Sequence, residues 1–116
     1  AYIIDGYYKY YDIFIPEKNL GIEVKKDVKS QETGNLVIEV EFNGYPSALS
    51  TTRADYWVFD DGESYIWIEP SKLRSIVHHF GQIRTFVGKG DTKSKKAHLI
   101  PKHIIKNHSC LITKIQ

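Results

Sequence analysis

The clearest helical repeat in this chain lies at 70–81, and it stands nearly alone among strand signals. In "PSKLRSIVHHFG", Leu73, Ile76, Val77 and Phe80 fall at i, i+3, i+4 and i+7, and Gly81 sits where a C-terminal cap belongs. Elsewhere the pattern has the two-residue period of strands. "YKYYDIFIP" (8–16) is aromatic and β-branched and stops at a proline, "EKNLG" (17–21) offers turn residues, and "IEVKKD" (22–27) follows, so the three read as a β-hairpin. After a polar loop (27–35), "LVIEVEF" (36–42) is a third strand. Glu39 and Glu41 share one of its faces, with Leu36, Ile38, Val40 and Phe42 on the other. Thr52 and Asp55 offer a capping box over a short helix or turn, and "YWVFDDGESYIWIEP" (56–70) is two strands around an Asp-Gly turn. The tail reads as short strands around a lysine-rich loop. No repeat or linker interrupts the chain. The expectation is a small α/β domain spanning 1–116, with a mixed central β-sheet flanked by helices and most strands early.

At 116 residues the chain is long enough for a real core. No apolar run approaches the roughly 20 residues that span a bilayer, and no secretory signal pattern opens it. With Cys110 its only cysteine, neither an internal disulfide nor a cysteine-rich zinc site can form, which fits an intracellular, cytoplasmic setting.

Charge is distributed unevenly. Residues 1–69 hold 13 acids and 6 Lys/Arg, whereas residues 70–116 hold 1 acid and 10 Lys/Arg. One reading is a solvated face; the other is an acidic half for cations and a basic half for a polyanion. In "GKGDTKSKK", Lys89, Lys93, Lys95 and Lys96 together with Gly88 and Gly90 read as a flexible cationic finger suited to a nucleic-acid backbone, with a plain solvated loop as the alternative.

The chemistry centres on the hairpin. Glu23 and Lys25 lie two apart on one strand and share a face, and Asp12 is on the partner strand, where opposed side chains sit roughly 5 Å apart. Carboxylates that close repel unless a divalent cation binds between them, and a nearby lysine can orient a water or neutralise phosphate charge. A surface ion-pair cluster is the plain alternative. Glu39 is a candidate accessory ligand or part of a solvated strand face. Thr51, Thr52 and Asp55 are more economically read as capping a turn than as touching substrate. Five scattered histidines do not make a zinc pattern: His78 and His79 diverge on a helix, and His98, His103 and His108 are far apart in sequence. Tyr7, Tyr8, Tyr10 and Tyr11 read as packing, with base stacking as the alternative.

The order Asp12, hairpin, Glu23-Val24-Lys25 resembles the signature of the PD-(D/E)XK nuclease superfamily, whose members include restriction endonucleases, Holliday-junction resolvases and phage endonucleases. The resemblance covers roughly residues 5–70, although Tyr11 stands where the motif's proline would be. "STTRADYW" and "GKGDTKSKKAHLIP" are similar to segments of small phage-type members. The resemblance implies a restriction-endonuclease-like core. It further implies Mg²⁺ or Mn²⁺ held by Asp12, Glu23 and the Val24 backbone carbonyl, with Lys25 as the catalytic lysine. DNA is the implied substrate, branched or structured DNA among the candidates, and a homodimer is the implied assembly. The superfamily's core helix, with a further glutamate, has no counterpart before Asp12, so either that helix is missing from this stretch or Glu39 or Glu41 replaces its acid. A catalytically weak nucleic-acid-binding domain of the same fold and an RNA endonuclease stay open as rivals.

Overall fold

The structure, a computed structural model, describes residues 2–3, 12–87 and 94–115. In chain order its elements are β1 (Tyr2–Ile3), β2 (Ile13–Ile15), β3 (Leu20–Lys26), α1 (Ser30–Thr33), β4 (Asn35–Phe42) and β5 (Tyr45–Pro46). Then come β6 (Tyr56–Asp60), β7 (Ser64–Ile68), α2 (Pro70–Phe80), β8 (Gln82–Val87), β9 (Ser94–Pro101), α3 (Lys102–His108) and β10 (Leu111–Lys114). Six strands form a mixed sheet in the order β1-β2-β3-β6-β7-β10, and four form a second sheet, β5-β4-β9-β8. The expected single central sheet is therefore two sheets, with an α/β core between them.

The hairpin is where the sequence places it, with a shorter turn. Pro16 fixes φ and cannot donate to a ladder, so it opens a 3₁₀ turn over Pro16–Lys18. Asn19, in the left-handed region at φ 48°, closes it by donating its N–H to the Pro16 carbonyl. Ile13 then opposes Ile22, and Ile15 opposes Leu20.

β3 finds its other neighbour, β6, in parallel, with Glu23 beside Trp57 and Lys25 beside Phe59. The chain reaches that position by leaving the first sheet to build β4 and β5, then returning. Asp55 fixes the return: its N–H donates to the Gly21 carbonyl at 2.8 Å, and its carboxylate accepts the Gly21 N–H at 2.8 Å. The Thr52–Asp55 segment is accordingly an irregular connection that bends at Asp55, and no capping box forms. Thr52 Oγ1 accepts from the Ala54 N–H and from the Trp57 indole N–H.

β6 and β7 close around Asp60-Asp61-Gly62 as the Asp-Gly signal requires, with Gly62 at φ 91°. A β-carbon at Gly62 would also overlap the Gln31 amide, which donates to the Asp61 carbonyl. α2 buries Leu73 and Ile76 as its period predicts, half-buries Val77 and leaves Phe80 exposed. Gly81 is the C-terminal cap, as expected, donating its N–H to the Val77 carbonyl in extended backbone at φ −69°. Glycine is needed there for space, because a β-carbon would overlap the His98 ring and the Val77 carbonyl.

The tail departs furthest from expectation. Lys95 and Lys96 belong to β9 rather than to a loop, and α3 interrupts the run of strands. Lys89 and Lys93 lie outside the described residues, as do Tyr7, Tyr8, Tyr10 and Tyr11. The β4–β9 ladder carries a bulge: Glu39 opposes Ala97 while Glu41 opposes Lys96, leaving Val40 as the extra residue. Because adjacent residues of β9 point opposite ways, Glu39 and Glu41 lie on opposite faces rather than sharing one.

The core lies between the sheets. Leu36 and Ile38 of β4 and Ile100 of β9 pack with Trp57 and Phe59 of β6, Ile66 and Ile68 of β7, and residues of α2 and α3. No helix among the described residues is long and apolar enough to cross a membrane.

Candidate active site

Trp57 and Phe59 are core residues, so their neighbours Glu23 and Lys25 point to the inner side of the first sheet, not to its solvated face. The pair stands where the gap between the sheets opens to solvent. The Glu23 side chain is 14% exposed and that of Lys25 36%. Lys25 Nζ lies 3.2 Å from Glu23 Oε2 and 5.3 Å from the centre of the Trp57 ring. That contact orients the ammonium while leaving one side of it open.

Asp12 completes the set. Its N–H donates to the Ile22 carbonyl at 2.9 Å, one residue out of the β2–β3 ladder, so the chain bends at Asp12 just ahead of β2 and sets its side chain beside Glu23. Its Oδ2 accepts the Val24 N–H at 2.8 Å. In a strand the N–H and C=O of one residue leave on the same edge, so the Val24 carbonyl faces the Asp12 side too. Burial pushes the Glu23 carboxyl above the usual range; Lys25 opposes that, while the charge and hydrogen bonding of Asp12 reinforce it. Two carboxyls held this close are a ready seat for a divalent cation, which would relieve their repulsion.

The opposite wall comes from the second sheet. A cavity of about 340 Å³ is lined by Lys25, Lys26, Asp27, Val37, Glu39, Trp57 and Lys95. Glu39 therefore shares a cavity with Lys25 although it lies on another sheet. It accepts from Ser47 Oγ at 2.7 Å and pairs with Lys95 at 3.9 Å. Asp27, at the end of β3, accepts the Val37 N–H and ties the two sheets together at this wall. Sequence reasoning missed Lys26 and Asp27. Their signal was their place directly after the E-x-K triplet, on the same strand end.

Glu41 is turned away from this cavity by the bulge and pairs with Lys96 at 3.3 Å. Lys95 and Lys96 are thus both ion-paired strand residues on opposite faces, and only Lys95 reaches the cavity. Three of the four ion pairs among the described residues join an acid of the first 69 residues to a lysine beyond them, namely Glu39–Lys95, Glu41–Lys96 and Asp61–Lys102. The uneven charge along the chain is in part neutralised within the fold. Thr52 and Asp55 serve the β3–β6 junction rather than the cavity, and Thr51 donates to the Ala48 carbonyl. Among the described residues no group of three or more His, Cys, Asp or Glu is arranged to hold a metal, so a cation at Asp12 and Glu23 would complete its shell with the Val24 carbonyl and water. No protein-family model matches this chain, and no curated protein or solved structure matches it either.

Proposed function

We propose that this chain is a metal-dependent endonuclease that hydrolyses phosphodiester bonds of DNA, with Asp12, Glu23 and Lys25 as its catalytic set. One observation carries the reading: two carboxyls are held against each other on the inner face of a sheet, with a lysine ammonium 3.2 Å from one of them. Mg²⁺ or Mn²⁺, when bound, supplies Lewis acidity and a more acidic water. Asp12, Glu23 and the Val24 carbonyl are the groups that would hold it. With Glu23 held by a cation, Lys25 would be released from its ion pair. Its Nζ, still seated on Trp57, can then donate to a non-bridging phosphate oxygen or orient the attacking water. Lys26 and Lys95 line the adjoining cavity, where a neighbouring phosphate would be neutralised, and Asp27 and Glu39 place two further carboxylates on that wall.

Lys25→Ala tests the assignment. Cleavage of plasmid or branched DNA in Mg²⁺ or Mn²⁺ should fall by about 10²-fold or more while circular dichroism stays unchanged. Wild-type rates in that variant would remove Lys25 from the chemistry, and faster cutting of a matched RNA would move the substrate class. The DNA track has its own test. Lys95→Ala should lower the salt slope of DNA binding by about 0.9. Lys96→Ala, on the other face of β9, should leave it unchanged. Equal effects would show that the backbone does not run through the cavity.

A further inference from the structure

We propose that β8 is a self-association edge, pairing antiparallel with β8 of a second copy about a two-fold axis at Thr85. The inference does not rest on the nuclease reading. Unpaired strand edges recruit other strands unless they are short or interrupted by proline or charge. Among the described residues, three of the four sheet edges are blunted in those ways. β1 is two residues, β5 is two residues ending in Pro46, and β10 is four residues ending in Lys114. β8 has six residues, all exposed, with no proline and one charge, Arg84. Ile83 is 54% exposed, Phe86 40% and Val87 61%, and no described strand covers the outer side of β8. The Ile83 carbonyl is taken by the guanidinium of its own neighbour, Arg84, at 3.2 Å, as befits an edge carbonyl without an adjacent strand. Backbone groups alternate along a strand, so Ile83, Thr85 and Val87 present N–H and C=O outward.

The sequence of β8 is complementary to its own reverse about Thr85. A two-fold axis perpendicular to the sheet keeps each face continuous, so residues of like parity oppose each other. Thr85 meets Thr85, Ile83 meets Val87 of the second copy, and Arg84 meets Phe86. These are a Thr–Thr pair, two β-branched apolar pairs and two cation–aromatic pairs, all favourable across strands, and no like charges are directly opposed. Shifting the axis to Arg84 would oppose the two guanidiniums. The second sheet would then run through the dimer as eight strands.

Sedimentation velocity on the full 116-residue chain over a concentration series tests this. The wild type should show a monomer–dimer equilibrium. Thr85→Glu faces Lys96 within its own chain but glutamate across the axis, so it should fold and weaken association by roughly fivefold or more. Thr85→Cys should cross-link to a covalent dimer on mild oxidation, because directly opposed residues lie about 5.5 Å apart, within disulfide reach. Cys110 is free and exposed, so that variant is made with Cys110→Ser. A wild type that stays monomeric at high concentration overturns the proposal. So does a dimer that Thr85→Glu leaves intact and Thr85→Cys fails to cross-link.

Discussion

Ionising Glu23 in the folded chain is costly, because burial and the neighbouring Asp12 both favour its protonated form over the pull of Lys25. A carboxyl whose folded pKa is raised contributes stability below its unfolded value, and that contribution is lost as pH rises through the folded value. Glu23→Gln imitates the protonated form, so it should leave stability unchanged near pH 4 and raise it near pH 8, as read by urea denaturation. The same proton competes with a cation. Between the ordinary value of 4.5 and the raised one, Mn²⁺ binding should release a proton. Calorimetric titration in two buffers of different ionisation enthalpy counts it. No release anywhere from about pH 5 to 7 would separate Glu23 from the cation.

Among the elements, the β6–β7 turn and α3 are joined by the one nearly sealed ion pair of the described residues. Asp61 is 1% exposed and lies 3.0 Å from Lys102 Nζ. Burial alone would raise the Asp61 carboxyl. Hydrogen bonds from the Glu63 and Ser64 N–H groups and from Lys102 outweigh that and lower it from 3.8 to about 2. A lowered folded pKa contributes stability above the unfolded value, so about 2 kcal/mol should be lost as pH falls from roughly 4 to 2. Lys102→Met should cost about 3 kcal/mol at pH 7, since it leaves a buried carboxylate without its cation. A loss below about 1 kcal/mol would show that the turn's N–H groups suffice. None of this was legible in sequence, because Asp61 and Lys102 are 41 positions apart. What was legible is local: the β2–β3 hairpin that brings Asp12 near Glu23, the Asp-Gly turn, and the period of α2. α3 was not, because "KHIIKNH" has two adjacent isoleucines and no i, i+3 or i+4 apolar partner. The bulge at Val40 was not either. A strict alternation put Glu39 and Glu41 together, and only the β9 partner shows that they part.

At the scale of the molecule, both sheets share one core, so they should melt as one unit. Ile38 is fully buried among Trp57, Phe59 and Ile100, and Ile38→Ala should cost about 2–5 kcal/mol. Urea transitions followed by tryptophan fluorescence and by far-ultraviolet circular dichroism should coincide in both proteins. Trp57 and Trp67 both lie in the first sheet, so separated curves would reveal a second sheet that stands alone. The parallel β3–β6 pair has a further consequence, for the order of folding. β3 cannot acquire its second neighbour until the chain has made β4 and β5 and returned through Asp55, and β4 must itself wait for β9, which ends at Pro101. Contacts that span so much chain demand large loop closures and tend to form late. The hairpin bearing Asp12 and Glu23 needs only a local turn, whereas the wall bearing Glu39 and Lys95 needs most of the chain. A nascent or partly refolded molecule would therefore carry both carboxyls of the site before it has the cavity beside them, and the completed pocket would be among the last parts of the chain to take shape.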